Sequence, residues 1–297
     1  MTDPGTMMET NIPDRKREIT DLLRMSPDEV VERAGPRLRV FPASAGIHEM
    51  IAGEMASLIL SRNEQGKESR FILPVGPVGQ YPVFLNIIRE KKISLANCWF
   101  FFMDEYADSA GKAFPPSHPL SFHGIMRRLW LDHIGAELAV PEERIVFPNE
   151  SNIRSLAEKI AADGGIDLCL GGIGIHGHLA FNEPAPGVSE SAPRKVRLND
   201  YTVTINAMRA KVGGNIENFP RSAYTIGMKQ ILGADKIRLA CRNGISLDWA
   251  NTVLRLALFG RPGDDYPCTY INSHPDCIIY TDRDTLKKPE IILEHEK

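Results

Sequence analysis

Apolar positions along the chain fall into two kinds of run. Leu38 to Phe41, Arg70 to Val75, Cys98 to Met103, Ile166 to Ile173, Ile237 to Cys241 and Cys277 to Thr281 are short and rich in aliphatic or aromatic residues. The most continuous of them read as strands buried on both faces. Between these runs the spacing predicts helices over about Ser44 to Leu60, Tyr81 to Arg89, Pro119 to Ile134, Asn152 to Ala162 and Ser246 to Leu258. Tyr201 to Ile205 alternates polar and apolar residues, which predicts a half-exposed strand. Repeated strand–helix alternation predicts an α/β fold of the doubly wound, Rossmann-like kind: a mostly parallel sheet with helices on both faces. Ahead of this body, residues 1–36 read as an N-terminal helical appendage. Ser26-Pro27-Asp28-Glu29 carries an N-cap, a proline at the first helical position and a capping-box glutamate. Residues 37–297 form the main α/β domain, with no linker to split it.

Composition narrows the function classes. The chain has 297 residues and a formal net charge of −3. That balance gives no electrostatic footprint for nucleic acid or membrane, while leaving room for a local cation cluster that holds an anionic small molecule. The five cysteines, Cys98, Cys169, Cys241, Cys268 and Cys277, have no metal-ligand spacing and read as reduced, buried thiols. Arg15-Lys16-Arg17 reads as a solvated face. The first residues lack an apolar stretch, and no run of ~18 apolar residues occurs. The expected location is a reducing cytoplasm.

In open parallel sheets, ligands bind beyond the carboxyl ends of the strands. Three motifs fall there. Pro74-Val75-Gly76-Pro77-Val78-Gly79 joins a strand to a helix and is able to offer backbone donors to an anion. Asp104 and Glu105 follow an apolar strand. Alternation turns only one of them toward a pocket, where a dry environment would make it a base. The third is Gly171-Gly172-Ile173-Gly174-Ile175-His176-Gly177-His178, with Glu183 five residues on. Its glycines allow sharp turning and close approach of backbone N–H groups to a ligand. His178 titrates near neutrality, and a carboxylate partner would fix its tautomer. His176 and His178 raise the possibility of a metal, but no further ligand cluster accompanies them and none is expected.

Taken in order, these motifs resemble the glucosamine-6-phosphate deaminase/isomerase family, which shares its fold with the 6-phosphogluconolactonases. The pieces are the Leu73-Pro74 glycine loop, Met103-Asp104-Glu105-Tyr106, Pro119-Leu120-Ser121-Phe122-His123, the run His178-Leu179-Ala180-Phe181-Asn182-Glu183-Pro184, and Pro220-Arg221-Ser222-Ala223-Tyr224-Thr225-Ile226-Gly227. The resemblance implies aldose–ketose isomerisation of an amino-sugar phosphate with loss of ammonia, and no cofactor. By resemblance, Asp104 is the base that moves a proton between C2 and C1. His178 opens the sugar ring, Glu183 is its carboxylate partner, and His176 stands beside them. Gly76, Val78, Glu105, Gly172, Gly174, Gly177 and Ala180 surround the substrate, and Arg221 grips its phosphate. The family is often oligomeric, which makes a homo-oligomer an expectation here.

Three positions depart from the family pattern. His176 stands where the family has Asp or Asn, Pro77 and Val78 where it has a Ser or Thr, and Ile245 where it has a phosphate-binding Lys. Arg242 or Lys229 lies near enough in sequence to substitute. The acid–base kit is thereby kept and the phosphate grip altered, so a substrate other than glucosamine 6-phosphate is expected. Arg194, Lys195 and Arg197 fall where some family members bind an effector, but read better as a solvated face. A lactonase-type hydrolase and a non-catalytic sugar-phosphate binder are the alternatives; the Asn182-Glu183-Pro184 ending disfavours the first and the retained acid–base residues the second.

Overall fold

A computed structural model describes residues 12–244 and 247–293. Ile245, singled out above, lies outside the described residues. Ten strands occur among those described: β1 (Leu38–Phe41), β2 (Ser69–Leu73), β3 (Cys98–Phe102), β4 (Asp104–Ala107), β5 (Ile145–Val146), β6 (Leu168–Gly172), β7 (Arg194–Arg197), β8 (Ser222–Thr225), β9 (Ile237–Ala240) and β10 (Cys277–Asp282). Seven form one sheet in the order β1-β10-β9-β6-β2-β3-β5, every neighbouring pair parallel. This is the doubly wound α/β architecture the periodicity predicts.

The strands sort their side chains by alternation. Phe71, Leu73, Phe100, Phe102, Leu168 and Leu170 enter one core, while Ile72, Phe101, Cys169, Ile237 and Leu239 enter the other. The first core is closed by the helices Ser44–Glu64, Gln80–Lys91 and Phe122–Leu129, which contribute residues such as Ile51, Phe84 and Met126. The second is closed by Pro27–Ala34, Leu156–Ala162, Met228–Leu232 and Ala250–Phe259. All five cysteines are free and buried.

The chain order reverses between β2 and β6: β3 and β5 continue on one side, β9 and β10 on the other. Loops leaving the carboxyl ends of these two strands diverge and open a crevice, the standard ligand position in such sheets. Over that crevice sits a second, antiparallel sheet, β4-β8-β7, which the sequence reading lacks. Its strands have four residues each, too short for a period to show. A third core of Tyr106, Phe181, Leu198, Val203, Phe219 and Ala223 holds it.

The predicted strand over Tyr201 to Ile205 is instead part of the helix Asp200–Arg209. The β-branched run Thr202-Val203-Thr204-Ile205 mimics a strand, but Asn199 overrides it by accepting a hydrogen bond from the Thr202 N–H at 2.9 Å. Val203 and Ala207, one turn apart, then bury together. Three other helices start later than predicted, at Phe122, with Ser121 as N-cap, at Leu156 and at Ala250.

The segment before β1 is tied to the body. The Ser26 capping box forms as read from sequence. Arg15, read as solvated, is bound to Asp265 at 2.7 Å and to Glu18 at 2.8 Å. Arg255, fully buried, donates to the carbonyl oxygens of Met25 and Leu286 at 3.3 and 2.8 Å and to that of Asn251 at 3.1 Å. No carboxylate serves it among the described residues; its charge rests on carbonyl groups at two helix ends, where the helix dipole is negative. No described helix is long and apolar enough to cross a membrane.

Candidate active site

The crevice contains a cavity of about 570 Å³, within the ~300–1,000 Å³ range of small-molecule sites. Four adjacent strands deliver its walls: Pro74 to Gly79 after β2, Met103 and Asp104 after β3, Gly172 to Gly174 with His178 and Ala180 after β6, and Ala240 with Arg242 to Gly244 after β9. Asn206 and Arg209 reach in from the helix Asp200–Arg209, and Phe181 from the turn region after β6, packed against the small antiparallel layer.

The first wall is braced from behind. The Tyr81 hydroxyl donates to the Pro74 carbonyl, and its ring stacks on buried Trp130 at 5.4 Å. The Gln80 amide donates to the Pro77 carbonyl at 2.8 Å. Gly76 and Val78 line the cavity on this loop.

Asp104 and Glu105 point in different directions, as strand alternation requires. Asp104 lines the cavity, is only 7 % exposed, and its carboxylate has no hydrogen-bond partner among the described residues. Burial, reinforced by the charge of Glu105, pushes its pKa up to about 8. Glu105 is instead saturated within the protein. It accepts from the backbone N–H groups of Tyr106, Phe122 and His123 and from the Ser121 hydroxyl, all at 2.9–3.0 Å. It anchors the start of the helix Phe122–Leu129 and does not line the cavity. Burial raises its pKa, and these donors oppose the rise.

The glycine run folds as a tight turn closed by Gly174 N–H to His178 O and Gly177 N–H to Gly174 O, both 2.9 Å. Two of its glycines are sterically required. A Cβ at Gly174 would lie 1.9 Å from His178 Nε2, and Gly177 sits at φ +66° against Cys268. Gly172 faces Pro77, Ala180 takes φ +51°, and both line the cavity. His178 lies between them with Nδ1 buried and unpartnered. Burial, then the nearby Arg209 and His176, hold its pKa down at about 3, so the imidazole is neutral.

Asn182 locks the turn to its surroundings. It donates to the carbonyls of Leu179 and Ile226 at 2.9 Å and accepts from Ser191 and Arg194 at 3.1 and 2.8 Å. Arg194 is thus part of the scaffold, while Lys195 and Arg197 remain exposed. Glu183 accepts from the Asn199 N–H at 2.8 Å with Oε2, and its Oε1 is buried without a partner. Burial raises its pKa. His178 Nδ1 and Glu183 Oε1 are therefore both orphaned, on residues the sequence reading pairs. His176 stands outside the cavity wall, its ring 4.7 Å from Tyr201 and 6.1 Å from Tyr266.

The cations have a distribution that sequence reasoning largely misses. Arg221 is outside the cavity, paired with Asp200 at 2.8 Å, and Lys229 pairs with Glu190. Inside are Arg209 and Arg242, together with His48 from the helix Ser44–Glu64. Neither arginine has a carboxylate partner among the described residues. Burial, and then Arg242, lower the pKa of Arg209. Only Arg242 carries a sequence signal, its place just after a strand; Arg209 and His48 sit in helices without a motif. No group of three or more His, Cys, Asp or Glu side chains poised for a metal occurs among the described residues.

No protein-family model matches the chain. Among curated proteins it is 30 % identical over 241 residues to the glucosamine-6-phosphate deaminase of Borreliella burgdorferi, spanning 74 % of this chain and 86 % of that one. To the glucosamine-6-phosphate deaminase of Phocaeicola vulgatus it is 31 % identical over 205 residues, 66 % of this chain and 73 % of that one. Among solved structures it is similar to a monomeric glucosamine-6-phosphate deaminase, with a TM-score of 0.73 and 24 % identity over 84 % of this chain and 98 % of that one. It is also similar to a 6-phosphogluconolactonase from Thermotoga maritima, with a TM-score of 0.60 and 13 % identity over 82 % and 98 %. These structural likenesses establish the shared fold.

Proposed function

The chain belongs to the glucosamine-6-phosphate deaminase family, and on that premise we propose that it converts an amino-sugar phosphate into a ketose phosphate and ammonia by acid–base catalysis in the cavity beyond β2 and β6. The observation that carries this reading is the company kept by Asp104 and His178. Both are buried, both face one cavity, and two arginines without carboxylate partners share it. That is one place for proton transfer and one for an anion.

A neutral imidazole has one N–H and one lone pair. His178 is able to take the proton of the anomeric hydroxyl and return one to the ring oxygen, opening the sugar without a net change of charge. Asp104, once ionised, takes the C2 proton of the open-chain amino aldehyde, giving a C1–C2 enolamine as O1 gains a proton, and delivers that proton to C1 as the nitrogen loses one, leaving a C2 imine that water hydrolyses to the ketose and ammonia. A carboxylate held at about 8 is a far stronger base than one at its ordinary ~3.9, which suits removal of a weakly acidic C–H proton. Glu183, with Oε1 unpartnered, is the carboxylate available to take up His178 Nδ1, to which no hydrogen bond joins it in this structure, and His176 buttresses the turn from outside. Arg209 and Arg242 hold the phosphate, with the N–H groups of the Gly76 loop beside them.

Arg242 supplies a cation where the altered loop and Ile245 remove donors, so the sugar or the phosphate position differs from glucosamine 6-phosphate while the class stays the same. The test is an ammonia-release assay over a panel of amino-sugar phosphates that includes glucosamine 6-phosphate. Release with at least one member, lost in Asp104→Asn, is expected. Acid formation from a sugar lactone without ammonia from any amino sugar would overturn the reading, and a micromolar-range KM for glucosamine 6-phosphate would overturn the altered substrate.

A further inference from the structure

His48 belongs to no motif in the sequence, yet it lines the cavity at its cationic end. It sits in the second turn of the helix Ser44–Glu64, and its ring lies flat against the backbone at Gly79. A Cβ at Gly79 would fall 2.2–2.5 Å from three ring atoms, so the absence of a side chain there is what lets the imidazole fold over the loop. No hydrogen bond engages the ring among the described residues, and it is half-buried, with Arg242 as its charged neighbour. The loop beneath, Pro74 to Gly79, has no titratable group. Glu49 and Glu54, on the same helix, line a separate groove with Lys236 and Arg238. Arg209, Asp104 and His178 line the same cavity. His48 thus meets cations and neutral groups, with no local carboxylate to hold a proton on it.

We propose that His48 is a specificity-determining residue that binds the substrate's phosphate jointly with Arg242, taking up a proton as the anion enters. This deepens the deaminase reading and rests on it for the identity of the anion. In the empty cavity, burial and the charge of Arg242 lower the pKa of His48, so the ring is mostly neutral near pH 7. A dianion between the two groups reverses that balance, because an opposite charge at contact favours the protonated ring. His48 fills the role left by Pro77 and Val78, which have no hydroxyl to offer, and its reach from a neighbouring helix sets where the phosphate sits.

Inorganic sulfate is the probe, because it remains a dianion throughout the range used. Its affinity is measured by titration calorimetry from pH 5 to 7, a window in which Asp104 stays protonated. Affinity of the unmodified protein is expected to fall about tenfold across it, with proton uptake that varies with the buffer's ionisation enthalpy. His48→Gln is expected to start weaker and show no slope, His48→Arg to bind tightly with no slope, and Glu49→Gln to match the unmodified protein. Gly79→Ala, which displaces the ring while keeping it, is expected to lose the slope as well. Equal affinity and equal slope in His48→Gln would overturn the proposal. Ammonia assays on the same variants separate it from the enzyme reading: KM for the amino-sugar phosphate rises about tenfold in His48→Gln with a much smaller change in kcat. Loss of the sulfate slope without ammonia release from any substrate would sink the deaminase reading and leave the His48 site standing.

Discussion

The two ends of the cavity are built on opposite principles. At one end, Asp104 and His178 are buried, unpartnered and uncharged near pH 7, because desolvation moves each toward its neutral form. At the other are the arginines Arg209 and Arg242, with His48, whose pKa burial and Arg242 lower. The first end comes from the termini of β3 and β6, which flank β2, and a tight turn, so its geometry is fixed by backbone. The second comes from a helix of the small upper layer, a loop after β9 and a helix of the lower layer, so its geometry is fixed by packing. Proton transfer needs placement to fractions of an ångström; holding an anion needs charge, which tolerates a change of residue. Val78, one departure from the family pattern, lines the cavity on the loop that His48 packs against.

Breaking the neutral end should have the largest effect. Asp104→Asn keeps the shape and removes the base, and ammonia release is expected to fall by about 10²–10⁴-fold or more, with sulfate binding retained. Breaking the cationic end should cost less. Arg242→Met is expected to raise KM about 10–100-fold, the loss of one charge-assisted contact, while kcat changes much less; an equal fall in kcat would move Arg242 to the reacting end.

Glu105→Gln sharpens the contrast between neighbours. It places an amide NH2 against two of the four donors and is expected to lower stability by about 1–3 kcal/mol, read as a lower Tm, without the catalytic collapse of Asp104→Asn. The smallest effect is in the pH dependence of stability. Asp104 has a folded pKa of about 8, above its ordinary value, so the fold favours its protonated form. Its stabilising contribution is complete at low pH and is lost as pH rises toward 8. His178, at about 3, favours its neutral form, and its contribution is lost as pH falls below about 6.5. Between pH 6.5 and 9, the Tm of Asp104→Asn is therefore expected to gain on that of the unmodified protein and then run parallel to it.

What the sequence revealed follows the same division. Buried strands such as Cys98–Phe102 announce themselves by composition, and the crevice follows from where they end. Gly174 beside His178 is legible because only glycine admits that approach. The antiparallel layer is not, since Asp104–Ala107 and Ser222–Thr225 become strands only by pairing with each other. Thr202 to Ile205 reads as a strand because β-branching is a local signal, whereas the cap at Asn199 decides the matter. The cationic end is nearly invisible: His48, Arg209 and Arg242 converge through the fold, with no spacing to betray them, while Arg221, which sits in a recognisable motif, stands outside the cavity paired to Asp200.

Arg255 has a mechanical consequence. Its guanidinium joins the end of the first helix, at Met25, to the end of the last, at Leu286, and Thr20 adds a bond to the Leu293 carbonyl. The chain is therefore buckled near both of its described ends through one buried side chain. A pulling force applied across residues 12 and 293 would load that buckle and the Arg15–Asp265 clasp before it reached the seven-stranded sheet. In the sheet order, the crevice between β2 and β6 lies beyond β1, β10 and β9 from that buckle.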